Sequence, residues 1–206
     1  KPPIDVGEDT AECLAFAPDG DRMVYCGKRK VIRLHNLAEN RPDGEFPGLS
    51  VRVRQLAFSP DGVNLLAVGD DKALRIWHLS SRQPIGQPLV CNGTIQNITH
   101  SPNAPVVAVP AKGSALRIWD YSTGSVKEPF ARVSVTLGVA FSPNGERIAS
   151  AHEDGLVRLW NVADGTELQT WKGHQGVVHA VAFAPDGKSV VSAGADGTVK
   201  RWAVRK

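Results

Sequence analysis

Short runs of alternating apolar and polar residues follow one another along the chain, separated by turn sequences such as Pro-Asp-Gly and Asp-Gly. The last part of the chain shows the pattern clearly, with runs at residues 167–171, 177–183, 189–193 and 198–204. Apolar side chains at every second position predict β-strands, and tight turns between neighbouring runs predict antiparallel pairing. The pattern therefore predicts an all-β chain and leaves no room for an ordinary helix.

The same pattern recurs at a nearly constant step. The sequence Ala-Phe-Ala-Pro-Asp-Gly at residues 15–20 returns, exactly or as a variant, at residues 57–62, 99–104, 140–145 and 182–187. A second motif, Leu-Arg-Ile-Trp at residues 74–77, has a counterpart in every copy. Five copies in register predict a repeat architecture with about four strands per unit. The copies are anchored at Phe16, Phe58, His100, Phe141 and Phe183, which are 42, 42, 41 and 42 residues apart.

These motifs, together with Gly173-His174 and Trp119-Asp120, resemble those of the WD-repeat family. The resemblance implies a β-propeller of four-stranded antiparallel blades that covers residues 1–206 as one domain. Counting the repeats favours five blades, with an N-terminal strand at residues 2–6 that pairs with residues 198–204 and closes the last blade. Propellers of this family usually have seven blades, so the alternative is a piece of a larger ring. His100 in place of Phe predicts an irregular third blade.

His174, Ser192 and Asp196 look at first like a catalytic triad. The family resemblance implies instead that they form, with Trp202, a buried hydrogen-bonded network that holds one blade together. Other repeats keep only part of this set, and we expect their blades to be less tightly locked. The fourth repeat keeps Ser150, Asp154 and Trp160 with Arg132 in the histidine position, and the second keeps Asp71 and Trp77 with Leu49 there.

The sequence contains no other sign of catalysis. There is no glycine-rich phosphate loop, no His-Glu-x-x-His motif and no Cys-x-x-Cys pair. We therefore expect no catalytic residue, no metal and no cofactor. The alternative is a propeller-type hydrolase or lyase, which would need acids or metal ligands in the channel. The predicted inner strands are mostly Val, Ala, Leu and Phe, which argues against it.

The three cysteines are odd in number and have no metal-ligand spacing, which is typical of reduced core thiols in a cytoplasmic protein. Cys13 and Cys26 lie symmetrically about the Pro18-Asp19-Gly20 turn, so they could face each other across a hairpin. A disulfide between them is the less favoured alternative.

Partners of this family often dock on the end of the propeller that carries the His and Asp turns. The resemblance implies a binding rim there, formed by residues six and four positions before each anchor and by those on either side of the Asp position. Six basic residues against three acidic ones on this rim favour an acidic or phosphorylated peptide. Apolar members could hold a hydrophobic side chain. The main candidates are Glu12, Lys28, Lys30, Arg52, Arg54, Lys72, Gln96, Lys112, Val135, Leu137, Val177 and His179.

Function is therefore expected to be protein or peptide recognition, as an interaction scaffold or as the sensor part of a longer signalling protein. A net charge of +3 is too small to indicate nucleic-acid binding, and the rim lacks aromatic residues for base stacking. No apolar run approaches the roughly 20 residues of a membrane span. We expect a cytoplasmic protein, and the oligomeric state stays open.

Overall fold

A computed structural model describes residues 4, 10–47, 49–111, 116–131 and 134–205. Contacts between residues group the chain into two compact units, Lys1–Val90 and Cys91–Lys206. Each unit is described by itself. Within the described ranges the regular structure consists of β-strands without a helix, as the alternating pattern predicts. These residues accordingly offer no helix of the length and hydrophobicity that a membrane crossing requires.

Unit 1 contains two four-stranded antiparallel sheets, each built from strands that follow one another in the chain. Pro-Asp-Gly turns join the first strand of each sheet to the second, with Gly20 and Gly62 in the left-handed region at φ 75° and 69°. The first sheet comprises β1 Ala11–Phe16, β2 Arg22–Gly27, β3 Ile32–Asn36 and β4 Arg41–Phe46, and the second comprises β5 Val53–Phe58, β6 Asn64–Gly69, β7 Ala73–His78 and β8 Leu89–Val90.

The core of unit 1 lies between these two sheets. The middle strands supply most of it, and Val24, Ile32 and Leu65 are completely buried. Trp77 is 1% exposed and packs edge-to-face on Phe46, with ring centroids 6.3 Å apart. Burial of a middle strand on both faces explains why β6 is a continuous apolar run after Asn64.

Unit 2 contains three further antiparallel sheets in chain order. The third sheet is irregular, as His100 in the anchor position predicts, because its strands have two to four residues whereas every strand of the fourth sheet has six. The third sheet comprises β9 Thr99–His100, β10 Val106–Val109, β11 Arg117–Asp120 and β12 Ser125–Lys127; the fourth, β13 Thr136–Phe141, β14 Arg147–His152, β15 Leu156–Asn161 and β16 Glu167–Lys172; and the fifth, β17 Val178–Phe183, β18 Ser189–Gly194 and β19 Val199–Ala203.

The fourth and fifth sheets pack closely against each other. Their shared core includes Val157, Val178 and Val190, all completely buried, and the rings of Trp171 and Trp202 stack with centroids 6.2 Å apart. At Gly138 the two innermost strands come so close that an added Cβ would lie 2.9 Å from the carbonyl oxygen of His179. A glycine is therefore required at this contact.

Strand predictions for the last repeat are confirmed to within one or two residues at each end. The run at residues 167–171 is β16, the outer strand of the preceding sheet, as predicted. The predicted closing strand at residues 2–6 lies, apart from Ile4, outside the described residues, and the described fifth sheet has three strands. Closure by that strand, and a single domain over residues 1–206, stay predictions.

Candidate functional site

The turns between the second and third strands carry an unusual backbone feature in unit 1. Each such turn closes with a short backbone hydrogen bond, from Lys30 N to Gly27 O at 3.0 Å and from Lys72 N to Gly69 O at 3.1 Å. Lys30 and Lys72 adopt φ angles of 61° and 62°, in the left-handed region that is costly for a residue with a Cβ. The equivalent positions in the fourth and fifth sheets are Gly155 and Gly197. Unit 1 therefore holds lysine where the fourth and fifth repeats have glycine, and the third repeat has Ser114 at this position of the sequence.

The two rim arginines of unit 1 are engaged in exposed ion pairs. Arg52 Nε donates to Glu12 Oε2 at 2.8 Å, and Arg54 pairs with Asp70. Glu12 is the extra residue of a β-bulge, since Ala11 pairs with Gly27 and Cys13 with Cys26. Predicted rim residues are thus brought together in two pairs of opposite charge, each about half exposed on the arginine side.

The rim lysines of unit 1 add further exposed cations to this surface. Lys28, Lys30 and Lys72 are all exposed, and no ion pair is found for them within the part of the chain that the structure describes. Three ammonium groups and two paired arginines outnumber Glu12 and Asp70, so this edge of unit 1 carries an excess of positive charge. We call these seven residues the basic edge.

The predicted rim residues of unit 2 are of a different kind. Val135, Leu137 and Val177 are half-buried, whereas His179 and Gln96 are exposed. Backbone hydrogen bonds tie this segment to the turns, because Val135 O accepts from Glu153 N at 3.0 Å and Val177 O from Ala195 N at 2.8 Å. Lys112 lies outside the described residues.

His174, Ser192, Asp196 and Trp202 are brought together in the fifth sheet. Nδ1 of His174 lies 3.0 Å from Asp196 Oδ1, and its Nε2 lies 2.7 Å from Ser192 Oγ. Trp202 Nε1 donates to the same Ser192 Oγ at 2.8 Å. With the Nδ1 proton directed at Asp196, His174 Nε2 accepts the hydroxyl proton of Ser192, and every polar atom of the chain of contacts is satisfied.

Asp196 is the charged end of this network. Its carboxylate also accepts from Thr198 Oγ1 at 2.7 Å, from Gln175 N at 3.0 Å and from Thr198 N at 3.1 Å. These hydrogen bonds, with that of the Thr198 hydroxyl the strongest influence, hold the pKa of the Asp196 carboxyl well below its usual range. Asp196 is therefore ionised at neutral pH and fixes the turn before β19.

The fourth sheet contains a second network, of which the sequence predicted Ser150 and Trp160 but not the histidine. Ser150 Oγ lies 2.7 Å from His152 Nε2 and accepts from Trp160 Nε1 at 2.7 Å, and His152 Nδ1 lies 3.5 Å from Thr136 Oγ1. His152 is on β14 itself, two residues after the serine. The family motif has its histidine in the loop before the inner strand, where this repeat has Arg132, which lies outside the described residues. Strand alternation was the signal that could have found it, because residues 150 and 152 share a face.

His152 is held neutral in this setting. It is 2% exposed, and burial lowers its pKa to about 4, with the nearby Arg158 guanidinium acting in the same direction. A neutral imidazole can donate at one ring nitrogen and accept at the other, which the contacts with Ser150 and Thr136 require.

In repeats without the loop histidine, the turn aspartate pairs with an arginine on the third strand. Asp154 pairs with Arg158 at 2.7 Å in the fourth sheet, and Asp71 pairs with Arg75 in the second. The arginines hold the pKa of both carboxyls below the usual range, with hydrogen bonding the main cause at Asp71. In the second sheet, where Leu49 replaces the histidine, Trp77 Nε1 donates to Pro47 O at 3.1 Å. The second and fourth sheets thus each keep a polar contact at the turn aspartate, built from residues other than the loop histidine.

A surface groove of about 490 Å³ lies at the end of the fourth sheet opposite the Asp154 turn. It is formed by the turn before β14 and the turn before β16. Glu146 is the one acidic residue among those that line it, beside Arg147, Asn161 and Leu168. Among the described residues, no cluster of three or more His, Cys, Asp or Glu side chains has the arrangement needed to hold a metal ion.

Comparison with known proteins identifies the repeats. The family model for the WD domain, G-beta repeat, matches residues 41–78, 132–161 and 165–203, which is slightly more than half of the chain. The chain belongs to the WD40 repeat family. The resemblance seen in the sequence is confirmed, and the five antiparallel sheets are consistent with a WD40 β-propeller. WD40 repeats generally mediate protein–protein interactions, and the family is generally non-catalytic.

Two relatives each match a 44-residue stretch of this chain. An uncharacterized WD repeat-containing protein of Nostoc sp. is 48% identical over 44 residues, which is 21% of this chain and 3% of that protein. A probable serine/threonine-protein kinase of Thermomonospora curvata, PkwA, is 46% identical over 44 residues, which is 21% of this chain and 6% of the kinase. The chain therefore spans only a small part of the length of these relatives.

Proposed function

We propose that this WD40 chain is a non-catalytic recognition module that binds an acidic or phosphorylated segment of a protein partner on the basic edge of unit 1. The observation that carries the proposal is the pair of lysines at φ 61° and 62°, in turns where the fourth and fifth sheets have glycine. Non-glycine residues in this region cost about 1–2 kcal/mol each, so lysine there gives no advantage to folding. Strain of this kind is typical of residues kept for binding.

The paired arginines support the same ligand chemistry. Arg52 and Arg54 are about half exposed, and their carboxylate partners Glu12 and Asp70 can be displaced by a competing anion. A guanidinium can bind a carboxylate or phosphate through two parallel hydrogen bonds, whereas an ammonium attracts it as a point charge. An anionic peptide can therefore exchange places with Glu12 or Asp70 and be held between the lysines.

Unit 2, taken by itself, has apolar residues at the equivalent positions of its own repeats. Val135, Leu137 and Val177 are half-buried and can still contact an aliphatic or aromatic side chain of a partner. His179 and Gln96 are exposed and can donate or accept hydrogen bonds.

The geometry of the serine and histidine supports a structural role for their network. Ser192 is 1% exposed, and its hydroxyl oxygen already accepts from Trp202. A nucleophile must reach a substrate carbon, and a hydroxyl enclosed between an indole and an imidazole cannot do so without unfolding the sheet. The propeller-type hydrolase alternative therefore finds no usable nucleophile here.

A peptide array tests the proposal. Matched peptides that carry Ser, Glu or phosphoserine at one position are probed with the wild-type chain and with the double variant Lys30→Glu, Lys72→Glu. We expect binding to the phosphoserine and Glu peptides over the Ser peptides, and loss of at least tenfold in the double variant. The variant Lys127→Glu, Lys188→Glu changes the charge equally, at two exposed sites in unit 2, and should bind like the wild type.

The same assay distinguishes the proposed function from its alternatives. Equal binding of the three peptide classes, or unchanged binding by the Lys30 and Lys72 variant, contradicts the proposal. Stronger binding to a single-stranded oligonucleotide than to the peptides would indicate a nucleic-acid partner. Charge reversal at Arg52 and Arg54 is a further variant, but it places Glu beside Glu12 and Asp70, so the lysine pair is the cleaner test.

A second candidate function is that of a sensor or docking part within a longer cytoplasmic signalling protein. It is favoured by the likeness of one repeat to part of a probable serine/threonine-protein kinase. An antibody raised against this chain tests it on fractionated cells of the source. A single soluble band much larger than 206 residues is expected, and a band at the size of this chain alone contradicts it.

A further inference from the structure

Two of the three cysteines lie opposite each other on neighbouring strands of the first sheet. Cys13 on β1 pairs directly with Cys26 on β2, immediately after the bulge at Glu12. Directly opposed residues of an antiparallel pair have Cα atoms about 4.5–5.5 Å apart, and their side chains project from the same face. A disulfide needs Cα atoms about 4.4–6.8 Å apart, so the pairing brings the two thiols within reach of one another.

The contacts of the two thiols agree with this placement. Cys13 Sγ lies 3.9 Å from the carbonyl oxygen of Cys26, and both side chains pack into the core between the two sheets of unit 1. The pKa of the Cys13 thiol is raised, mainly by its hydrogen bond with the Cys26 side chain and then by burial. All three cysteines are free thiols in this structure.

We propose that Cys13 and Cys26 are an oxidisable pair that a hydroperoxide converts into a cross-strand disulfide joining β1 to β2. Cys13 is partly accessible and Cys26 is 1% exposed, so the oxidant reacts first at Cys13. The raised pKa keeps the thiolate fraction small, so the reaction is slow and follows sustained rather than brief exposure.

The chemistry balances in two steps. In the first, the Cys13 thiol and hydrogen peroxide give a sulfenic acid and one water, with transfer of one oxygen atom to Cys13 Sγ. In the second, Cys26 Sγ attacks Cys13 Sγ, the S–S bond forms, and the sulfenic oxygen leaves as a second water with the Cys26 proton. Each sulfur loses one electron, and the two peroxide oxygens gain them.

Cys13 lies on β1, a poorly covered strand that a disulfide to β2 would stabilise. On β1 the residues that alternate with Cys13 and Ala15 point outward, and Leu14 and Phe16 are 54% and 60% exposed. A strand with this little cover opens more easily than a buried one. A bond to the buried strand β2 restricts that opening, so oxidation is expected to slow amide hydrogen exchange along residues 11–16.

Peptide mapping of the intact chain tests the proposal directly. Arg22 lies between the two cysteines, so trypsin separates them unless they are bonded. After treatment with hydrogen peroxide and blocking of free thiols, we expect a non-reducing digest to contain a linked peptide pair that disappears on reduction. The number of free thiols in the unfolded chain should fall from three to one. The remaining thiol should be Cys91, which the alkylating reagent then modifies.

Matched variants exclude other outcomes. Cys91→Ser should form the linked pair as the wild type does, because Cys91 is buried beside Arg117 in unit 2. Cys13→Ser and Cys26→Ser should not form it. The proposal is overturned if the treated wild type keeps three thiols, if it gains only oxygen at Cys13, or if its disulfides involve Cys91 or a second chain.

Discussion

Ser150 Oγ lies 2.7 Å from Nε2 of His152, two residues further along the same strand. The neighbouring sheet makes the corresponding contact between Ser192 and His174, a residue that comes from the loop before the inner strand. In both sheets the serine also accepts from a tryptophan of the third strand, Trp160 or Trp202. Both sheets thus contain a Trp–Ser–His network of hydrogen bonds, although the histidine occupies a different position of the repeat in each.

The first prediction concerns acid stability and His152. Its pKa is about 4 in the folded chain and about 6.5 when unfolded, so the unfolded state binds a proton more readily. The stability due to neutral His152 is therefore complete above pH 6.5 and is lost as the pH falls towards 4. The loss from this group should approach about 3 kcal/mol. Urea unfolding followed by tryptophan fluorescence between pH 7.5 and 4 measures it.

His152→Gln provides the comparison for this prediction. The variant should be less stable at pH 7.5, because Ser150 and Thr136 lose the imidazole, and its stability should change less between pH 6.5 and 4. His179→Gln removes an exposed histidine and should keep the wild-type slope. Equal slopes in His152→Gln and the wild type would show that His152 is not the titrating group.

The second prediction concerns the hydroxyl at the centre of the fifth-sheet network. Ser192→Ala leaves the buried Nε2 of His174 and the Nε1 proton of Trp202 without the serine oxygen. Leaving buried polar groups without partners costs about 1–3 kcal/mol, so the free energy of unfolding should fall by that amount. Chemical unfolding measures it, and Ser81→Ala, at an exposed turn of unit 1, serves as control. A change below about 0.5 kcal/mol would contradict the network's role.

The third prediction separates charge from backbone strain at Lys72. Lys72→Ala and Lys72→Gly both remove the ammonium group, but only glycine adopts φ 62° without a Cβ penalty. The glycine variant should be more stable than the alanine variant by about 1 kcal/mol. Both should weaken binding of the acidic peptides equally. Thermal unfolding and the peptide assay measure the two effects, and an alanine variant as stable as the glycine variant would contradict the strain argument.

The fourth prediction concerns the close contact between β13 and β17. A methyl group at residue 138 would lie 2.9 Å from the His179 carbonyl oxygen and 3.1 Å from Ala180 Cα, and both are backbone atoms that cannot move aside independently. Gly138→Ala should therefore lower the free energy of unfolding by about 1–3 kcal/mol. It should also disturb the stacked pair Trp171 and Trp202, which tryptophan fluorescence reports. A melting temperature at or above that of the wild type would contradict the packing.

The fold could be predicted because its signals are local and repeated. Alternation fixed the strands, the anchors fixed the register, and Gly at residues 20, 62, 145 and 187 marked four of the turns between first and second strands. The poor match at His100 also predicted that the third sheet is irregular, and its strands are short. Each of these features depends on residues that are close together in the chain, so it can be recognised directly from the sequence.

The site was less predictable because its chemistry depends on contacts between distant residues. Glu12 and Arg52 are 40 positions apart, and no sequence motif indicates that their side chains form an ion pair. The partners of His152 were not predicted, because the family motif places the histidine in the loop before the inner strand, where this repeat has Arg132. The left-handed backbone at Lys30 and Lys72 is likewise set by the turn and not by the residue itself.

The most direct measurement of the central claim is to map, by amide hydrogen exchange, where the best-binding phosphoserine peptide of the array contacts the chain. The account predicts slower exchange at residues 28–30, 52–54 and 70–72, and no such effect in Lys30→Glu, Lys72→Glu. Protection confined to the groove around Glu146, Arg147 and Leu168 would contradict it, as would binding without protection at the basic edge.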